Sequence, residues 1–357
     1  SYFRCKCLSM VKKTKYKIKF WAGLLFAQFL LFYLFSRTPY IISFFEKFFQ
    51  LKQQIHQRLF SKITFSVGDV FYLLLIIYLL FAFFKIFNKK SRSKYILHIL
   101  IILNIFYFIY QLFWGMLYFE KPISEKLPPQ KITIEEIKKL SLQYINLTNK
   151  TRKLVLEDKK GIFKIKNLDA LKIEILQAEK GIPKRYFPNE IYSVNNFKPS
   201  VFSTVMNYTG ILGYYNPFSS EAQYDAKMPP TYIPFTLAHE RAHQLGYSRE
   251  QEANFIGYLI CENSQNPELR YSAYLYTCKS LLRYLSSYNP KFINKAYSLF
   301  TDEVKRDLEN DRKFAEKHEG ALKNIFYYMN DWFLKSNQQE GTITYSYYID
   351  LLIRYKL

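Results

Sequence analysis

Two of the chain's five histidines stand four residues apart, in Leu237-Ala238-His239-Glu240-Arg241-Ala242-His243. On a helix that spacing turns both imidazoles to one face, where they can share one Zn2+ at about 2.0–2.1 Å. Glu240 follows the first histidine and can reach an attacking water without itself ligating strongly. A carboxylate so placed takes the water's proton as a carbonyl is attacked and hands it to the leaving amine. The chemistry is amide hydrolysis, and the implied cofactor is Zn2+. The competing reading is a surface helix with two unrelated histidines, and the next stretch of chain weakens it.

A catalytic zinc wants a third protein ligand and one open position. Gly246 suits the end of the histidine helix. Ser248, with Gln251 three residues on, then suits the start of another. That second helix holds Glu250 and Glu252 in its first turn. They are two residues apart and so point to different faces; one can complete a His2Glu set, while the other is a solvated carboxylate favoured by the helix N-terminus. Spacing alone leaves the choice open.

H-E-x-x-H followed on the next helix by E-x-x-A-[DN], here Glu250-Gln251-Glu252-Ala253-Asn254, resembles the gluzincin zinc metallopeptidases. The resemblance implies His239, His243 and Glu250 as metal ligands and Glu240 as general base. Asn254 would orient a ligand histidine, and Glu252 remains the alternative third ligand. The metzincin pattern fails, because Arg249 stands where its third histidine belongs. A zincin-type site also implies an edge strand that pairs with extended substrate. Met206, Asn207, Tyr208, Gly210, Gly213 and Tyr214, within residues 206–215, are the candidates, with a core-packing hairpin as the alternative. For a donor to the developing oxyanion, Tyr271, Arg270 and Tyr347 are available and nothing chooses among them. Longer stretches (SVGDVFY, LFWGMLY, KPSVFSTVMNYTGILGYYNPFSSEAQ, PFTLAHERAHQLGYSREQEANFIGYLIC and RYSAYL) resemble a bacterial membrane-protein family known as domain of unknown function 3810. This likeness covers nearly the whole chain. It implies three spans and an outward-facing zincin-like domain, and it brings no substrate.

The elements that must position these residues divide the 357-residue chain unevenly. With 33 Phe and 32 Tyr it is too aromatic to be disordered. Residues 20–36, 68–86 and 95–118 read as transmembrane helices. Residues 1–19 carry seven Lys or Arg and no acid, and 85–94 carry five. Both stretches belong in the cytoplasm, which leaves everything after the third span outside a bacterial inner membrane. From residue 120 on there are 34 bases and 27 acids, so only +7 of the formal +22 lies on the globular part. The partners expected are therefore a lipid bilayer and a protein or peptide substrate, and no nucleic acid.

The expected organisation is a basic N-terminus (1–19), a membrane domain (20–119), a linker (120–131) and a zincin-like α+β domain (132–357). The fold class is mainly α with a small β element. Within the membrane domain, 37–65 reads as an amphipathic outer loop. Helices are expected at 133–156, 169–181 (with Asp169 as N-cap), 231–245, 248–263, 267–288, 301–336 and 344–355. The β-prone runs at 200–208 and 210–215 suggest short strands or an extended loop wall. Cys5 and Cys7 lie on the reducing side, whereas Cys261 and Cys278 lie where a disulfide is permitted. The leading function is a membrane-anchored zinc metalloendopeptidase acting outside the cytoplasm. The alternatives are a non-catalytic zinc-containing scaffold or binding protein, which would not need Glu240, and a zinc amidase acting on cell-wall peptides.

Overall fold

The computed structural model describes residues 2–130, 132–187, 192–341 and 347–356, with side chains from residue 14 on. The chain forms two compact units: Ser1–Lys52 with Val67–Glu120 and Pro217–Ser219, and Gln53–Ser66 with Lys121–Asn216 and Ser220–Leu357.

The first unit is built on α1 (Tyr2–Phe35), most of α2 (Pro39–Phe60), α3 (Val67–Ile86) and α4 (Arg92–Phe113). Three segments are long and apolar enough to cross a membrane: Thr14–Phe35, Val67–Ile86 and Arg92–Phe113. The third differs from the expected 95–118. It stops at Phe113, and a 3-10 turn over Gly115–Phe119 follows. Polar side chains join these apolar helices. Asn104 on α4 donates to the Trp21 carbonyl of α1 at 3.0 Å and accepts from Gln28 at 3.2 Å. Tyr78 on α3 meets His98 Nδ1 on α4 at 2.6 Å. Such bonds have little competition from solvent where water is excluded. On α2 the aromatics are split: Phe45 and Phe49 are buried, while Phe44 faces out.

The second unit is helical around a three-stranded sheet, with a separate two-stranded ribbon of Leu156–Glu157 and Phe163–Lys164. Its helices are α5 (Ile134–Arg152), α6 (Leu168–Ala178), α7 (Ser203–Thr209), α8 (Ile233–Gln244), α9 (Glu250–Asn263), α10 (Pro267–Ser286), α11 (Pro290–Ser298), α12 (Asp302–Lys317), α13 (Ala321–Ser336) and α14 (Tyr347–Lys356). The strands are β1 (Leu156–Glu157), β2 (Phe163–Lys164), β3 (Phe197–Pro199), β4 (Gly213–Asn216) and β5 (Glu221–Tyr224). β5 lies between β3, its parallel neighbour, and β4, its antiparallel neighbour, so β4 is an edge.

Three expectations are corrected here. Residues 203–209 form helix α7 and not a strand, and Gly210 closes it at φ 77° in the left-handed region. The single helix expected over 301–336 is two, α12 and α13, separated at His318–Gly320. The N-cap of α6 is Asn167, whose Oδ1 accepts from the backbone of both Asp169 and Ala170 at 3.0 Å. The pairing that the sequence left open is not made: Cys261 and Cys278 are separate, buried free thiols, and burial pushes both pKa values up.

Candidate metal centre

α8 starts with Pro234 in its first turn, where proline costs no hydrogen bond, and ends at Gly246, whose φ of 108° only glycine adopts easily. The chain then reverses into α9, which crosses α8 closely. A Cβ at Gly257 would stand 3.0 Å from the His239 backbone nitrogen, so glycine sets how near the two helices lie. Glu250, Asn254 and Gly257 follow the i, i+4, i+7 spacing of one helix face. That face meets His239.

The side chains converge. His239 Nε2 lies 3.3 Å from Glu250 Oε2, and His243 Nε2 lies 3.8 Å from Glu250 Oε1. Ligand atoms of all three residues fall within 4.8 Å of one another. The far side of each ring is occupied: His239 Nδ1 meets Asn254 Oδ1 at 2.8 Å and His243 Nδ1 meets the Tyr247 carbonyl at 2.6 Å. A carbonyl only accepts, so His243 carries its proton on Nδ1 and turns an Nε2 lone pair to the cluster. Tetrahedral N and O ligands at about 2.0–2.1 Å from one zinc would be ~3.3 Å apart; the His239–Glu250 contact matches that and the His243–Glu250 contact is wider. The donor types are those that hold zinc.

The charges in the cluster are coupled to one another. Burial works against charge on both His239 and Glu250, but their mutual contact outweighs it, raising the histidine and lowering the carboxyl. Burial brings His243 down to about 4, which keeps it neutral and able to ligate. Glu240 is 3% exposed, and its Oε2 has no hydrogen-bond partner among the described residues. Burial first, and the Glu250 charge second, push its carboxyl up to about 8, against the pull of His239. Gly213 on β4 lies over it: a Cβ there would come within 2.7 Å of Glu240 Oε1 and 2.9 Å of the Gln223 carbonyl. Only glycine fits between the edge strand and this carboxylate.

Residues 44–353 match a family described as protein of unknown function, DUF3810. The chain belongs to that family. No curated protein and no solved structure matches it.

Elsewhere in this DUF3810 chain the remaining sequence candidates separate. Glu252 is outside the cluster: its Oε1 accepts from the Ile123 backbone at 2.8 Å and from Arg249 at 3.2 Å. Of the proposed edge strand, Gly213 and Tyr214 lie on β4, whereas Met206, Asn207 and Tyr208 lie on α7 and Gly210 caps it. Tyr271 is fully buried and gives its hydroxyl to Asp307 at 2.5 Å, a structural bond. The Tyr347 hydroxyl goes to Glu340. Arg270 is half-buried on α10. Among the described residues, no hydrogen bond or ion pair joins any of these three to Glu240 or the histidines. Three partners went unread in the sequence. Tyr247 acts through its carbonyl, and Gln339, beyond α13, accepts from the Glu250 backbone at 3.1 Å. Glu179 holds Arg241 of α8 through Nε at 2.5 Å and Nη2 at 3.0 Å. None of these follows from local spacing.

Proposed function

We propose that this protein is a membrane-anchored zinc metallopeptidase with a gluzincin-type site in a zincin-like domain, hydrolysing peptide bonds outside the cytoplasm. The observation that carries the reading is the buried carboxylate of Glu240, one oxygen of which has no partner among the described residues, beside three ligand-type side chains. Burying such an oxygen without a protein hydrogen bond is costly, and such groups cluster at functional sites.

His239, His243 and Glu250 would hold the ion. Zinc in that set supplies Lewis acidity, polarising the scissile carbonyl and acidifying the attacking water. Glu240 takes the proton from the water and delivers it to the departing amine nitrogen, so each turnover returns the carboxyl to its starting state. Burial of its carboxyl favours the protonated state that delivers the proton, and the charge of a bound ion would favour the ionised state that takes it. Asn254 keeps His239 from turning. β4 offers backbone groups to an extended polypeptide alongside Glu240. The surplus of Lys and Arg in residues 1–19 and 85–94 supports an outward orientation for this chemistry.

The test is purified full-length protein assayed for zinc and for cleavage of an unfolded polypeptide. We expect about one zinc per chain and cleavage that a chelator abolishes. Glu250→Ala should lose more zinc than Glu252→Ala. A metal-replete protein that leaves every unfolded substrate intact would favour a scaffold.

A further inference from the structure

α13 is amphipathic the wrong way round for a helix on a water-soluble surface. Its inward stripe is Lys323, Phe326, Asn330 and Leu334, and only Leu334 is buried. Its outward stripe is Leu322, Ile325, Tyr328, Met329, Trp332 and Phe333. Tyr328 is 71% exposed and Trp332 74%. That face carries no charge from Leu322 to Phe333, about three turns. The neighbouring α12 shows the ordinary pattern, with exposed Glu309, Arg312 and Glu316 in mutual ion pairs. An apolar face of this size and composition on a folded domain marks something that covers it.

Two observations say what. The chain carries three helices long and apolar enough to cross a bilayer, and the second unit is entered at Lys121, shortly after the third of them ends at Phe113. The second unit of every copy is therefore tethered close to an apolar helix of that kind. The outward residue types are those that seat a helix at a membrane interface: Trp and Tyr at headgroup level, with Leu, Ile, Met and Phe reaching the acyl boundary. We infer that the outward face of α13 rests in the headgroup–acyl boundary of the bilayer that anchors the chain. Contact is by apolar insertion, not by charge. It rests on the reading that the three apolar helices are spans, and it would hold the second unit against the membrane surface, favouring substrates that lie there. Gln339, three residues past α13, bonds the backbone of Glu250, so the docked helix is tied directly to the candidate metal centre.

The test uses the full-length chain in phosphatidylcholine nanodiscs. Cys5→Ser and Cys7→Ser remove the amino-terminal thiols, and Cys261 and Cys278 are buried. A nitroxide is placed by Tyr328→Cys, with Glu316→Cys on α12 as the water-facing control. Relaxation by oxygen should dominate at 328 and relaxation by a water-soluble nickel chelate at 316. Trp332→Cys should repeat the result at 328, guarding against a local perturbation at one position. Nickel-dominated relaxation at both 328 and 332 would overturn the inference, because the face would then lie in water. Shielding from both agents would overturn it too, since a protein surface or second copy would then cover the helix. A chain that fails to enter the discs removes the spans, and the inference with them.

Discussion

Asp307 and Glu240 are both carboxylates in the interior of the second unit, and they are buried in opposite ways. Asp307 accepts from Arg152 Nε at 2.6 Å, from the Tyr271 hydroxyl at 2.5 Å and from the Phe163 backbone at 2.8 Å. Glu240 has an oxygen with no partner among the described residues and a glycine held close over it. The first arrangement ties α5, α10, α12 and β2 together. The second leaves a buried carboxylate oxygen that ties no elements together. Burial alone therefore does not distinguish structure from chemistry; the partners do. The same division runs through α8, where Arg241 is fully engaged by Glu179, Gln244 and the Tyr192 carbonyl while the adjacent Glu240 is not.

The largest effect should come from breaking the satisfied carboxylate. Asp307→Ala strands the buried Arg152 charge and the Tyr271 hydroxyl, which should cost about 3–5 kcal/mol in denaturant unfolding. A loss below about 1 kcal/mol would show that the network contributes little beyond a surface ion pair.

Next comes Glu240→Gln, which should slow peptide cleavage about 10²–10⁴-fold while zinc content stays near normal. It should also change stability in a direction set by linkage. In chelated wild type, the folded state holds a proton on Glu240 between about pH 4.5 and about 8 that the unfolded chain releases. Folded protein binds more protons there, so its stability falls as pH rises through that window. Gln removes this group's share of the slope. At pH 8 the chelated variant should be more stable than wild type, by on the order of a few kcal/mol, with the gap closing toward pH 4.5. Parallel pH–stability curves for the two proteins would remove the evidence for a desolvated base.

The candidate site was legible in the sequence to the extent that helix periodicity carries it. His239 and His243 share a face because 3.6 residues make a turn, and Gly246 marks where α8 must stop. The choice between Glu250 and Glu252 was not legible from spacing. It depends on Gly257 letting the helices cross closely and on Ile123, 129 positions from Glu252, donating to the latter. Residues 203–209 misled for a related reason. Their Val, Tyr and Thr suit strands, but Gly210 offers a helix stop, and the packing of α7 and α13 overrides a weak local preference. The outward face of α13 was hidden in an expectation of one long helix, because periodicity reports that a stripe exists and not which way it turns.

The smallest effect separates orientation from ligation. Asn254 sits one helical turn past Glu250 and holds His239 through Nδ1 without being able to touch an ion on the other side of the ring. Asn254→Ala should leave the donor atoms in place and free the imidazole to rotate, and the unpartnered Nδ1–H then adds a desolvation penalty. Loss of such a support typically weakens metal binding about 10–100-fold, equivalent to about 1.4–2.7 kcal/mol. Competition with a chromogenic chelator measures it, alongside unfolding of the chelated protein, where little change is expected. Asn254→Asp restores an acceptor and should recover most of the affinity. If Asn254→Ala binds zinc as tightly as wild type, His239 is oriented by the α8–α9 packing alone. If it loses zinc as completely as His239→Ala, Asn254 is doing more than orienting. The intermediate outcome fits a residue that acts on the ion only through a histidine, midway between the fully engaged Asp307 and the idle Glu240.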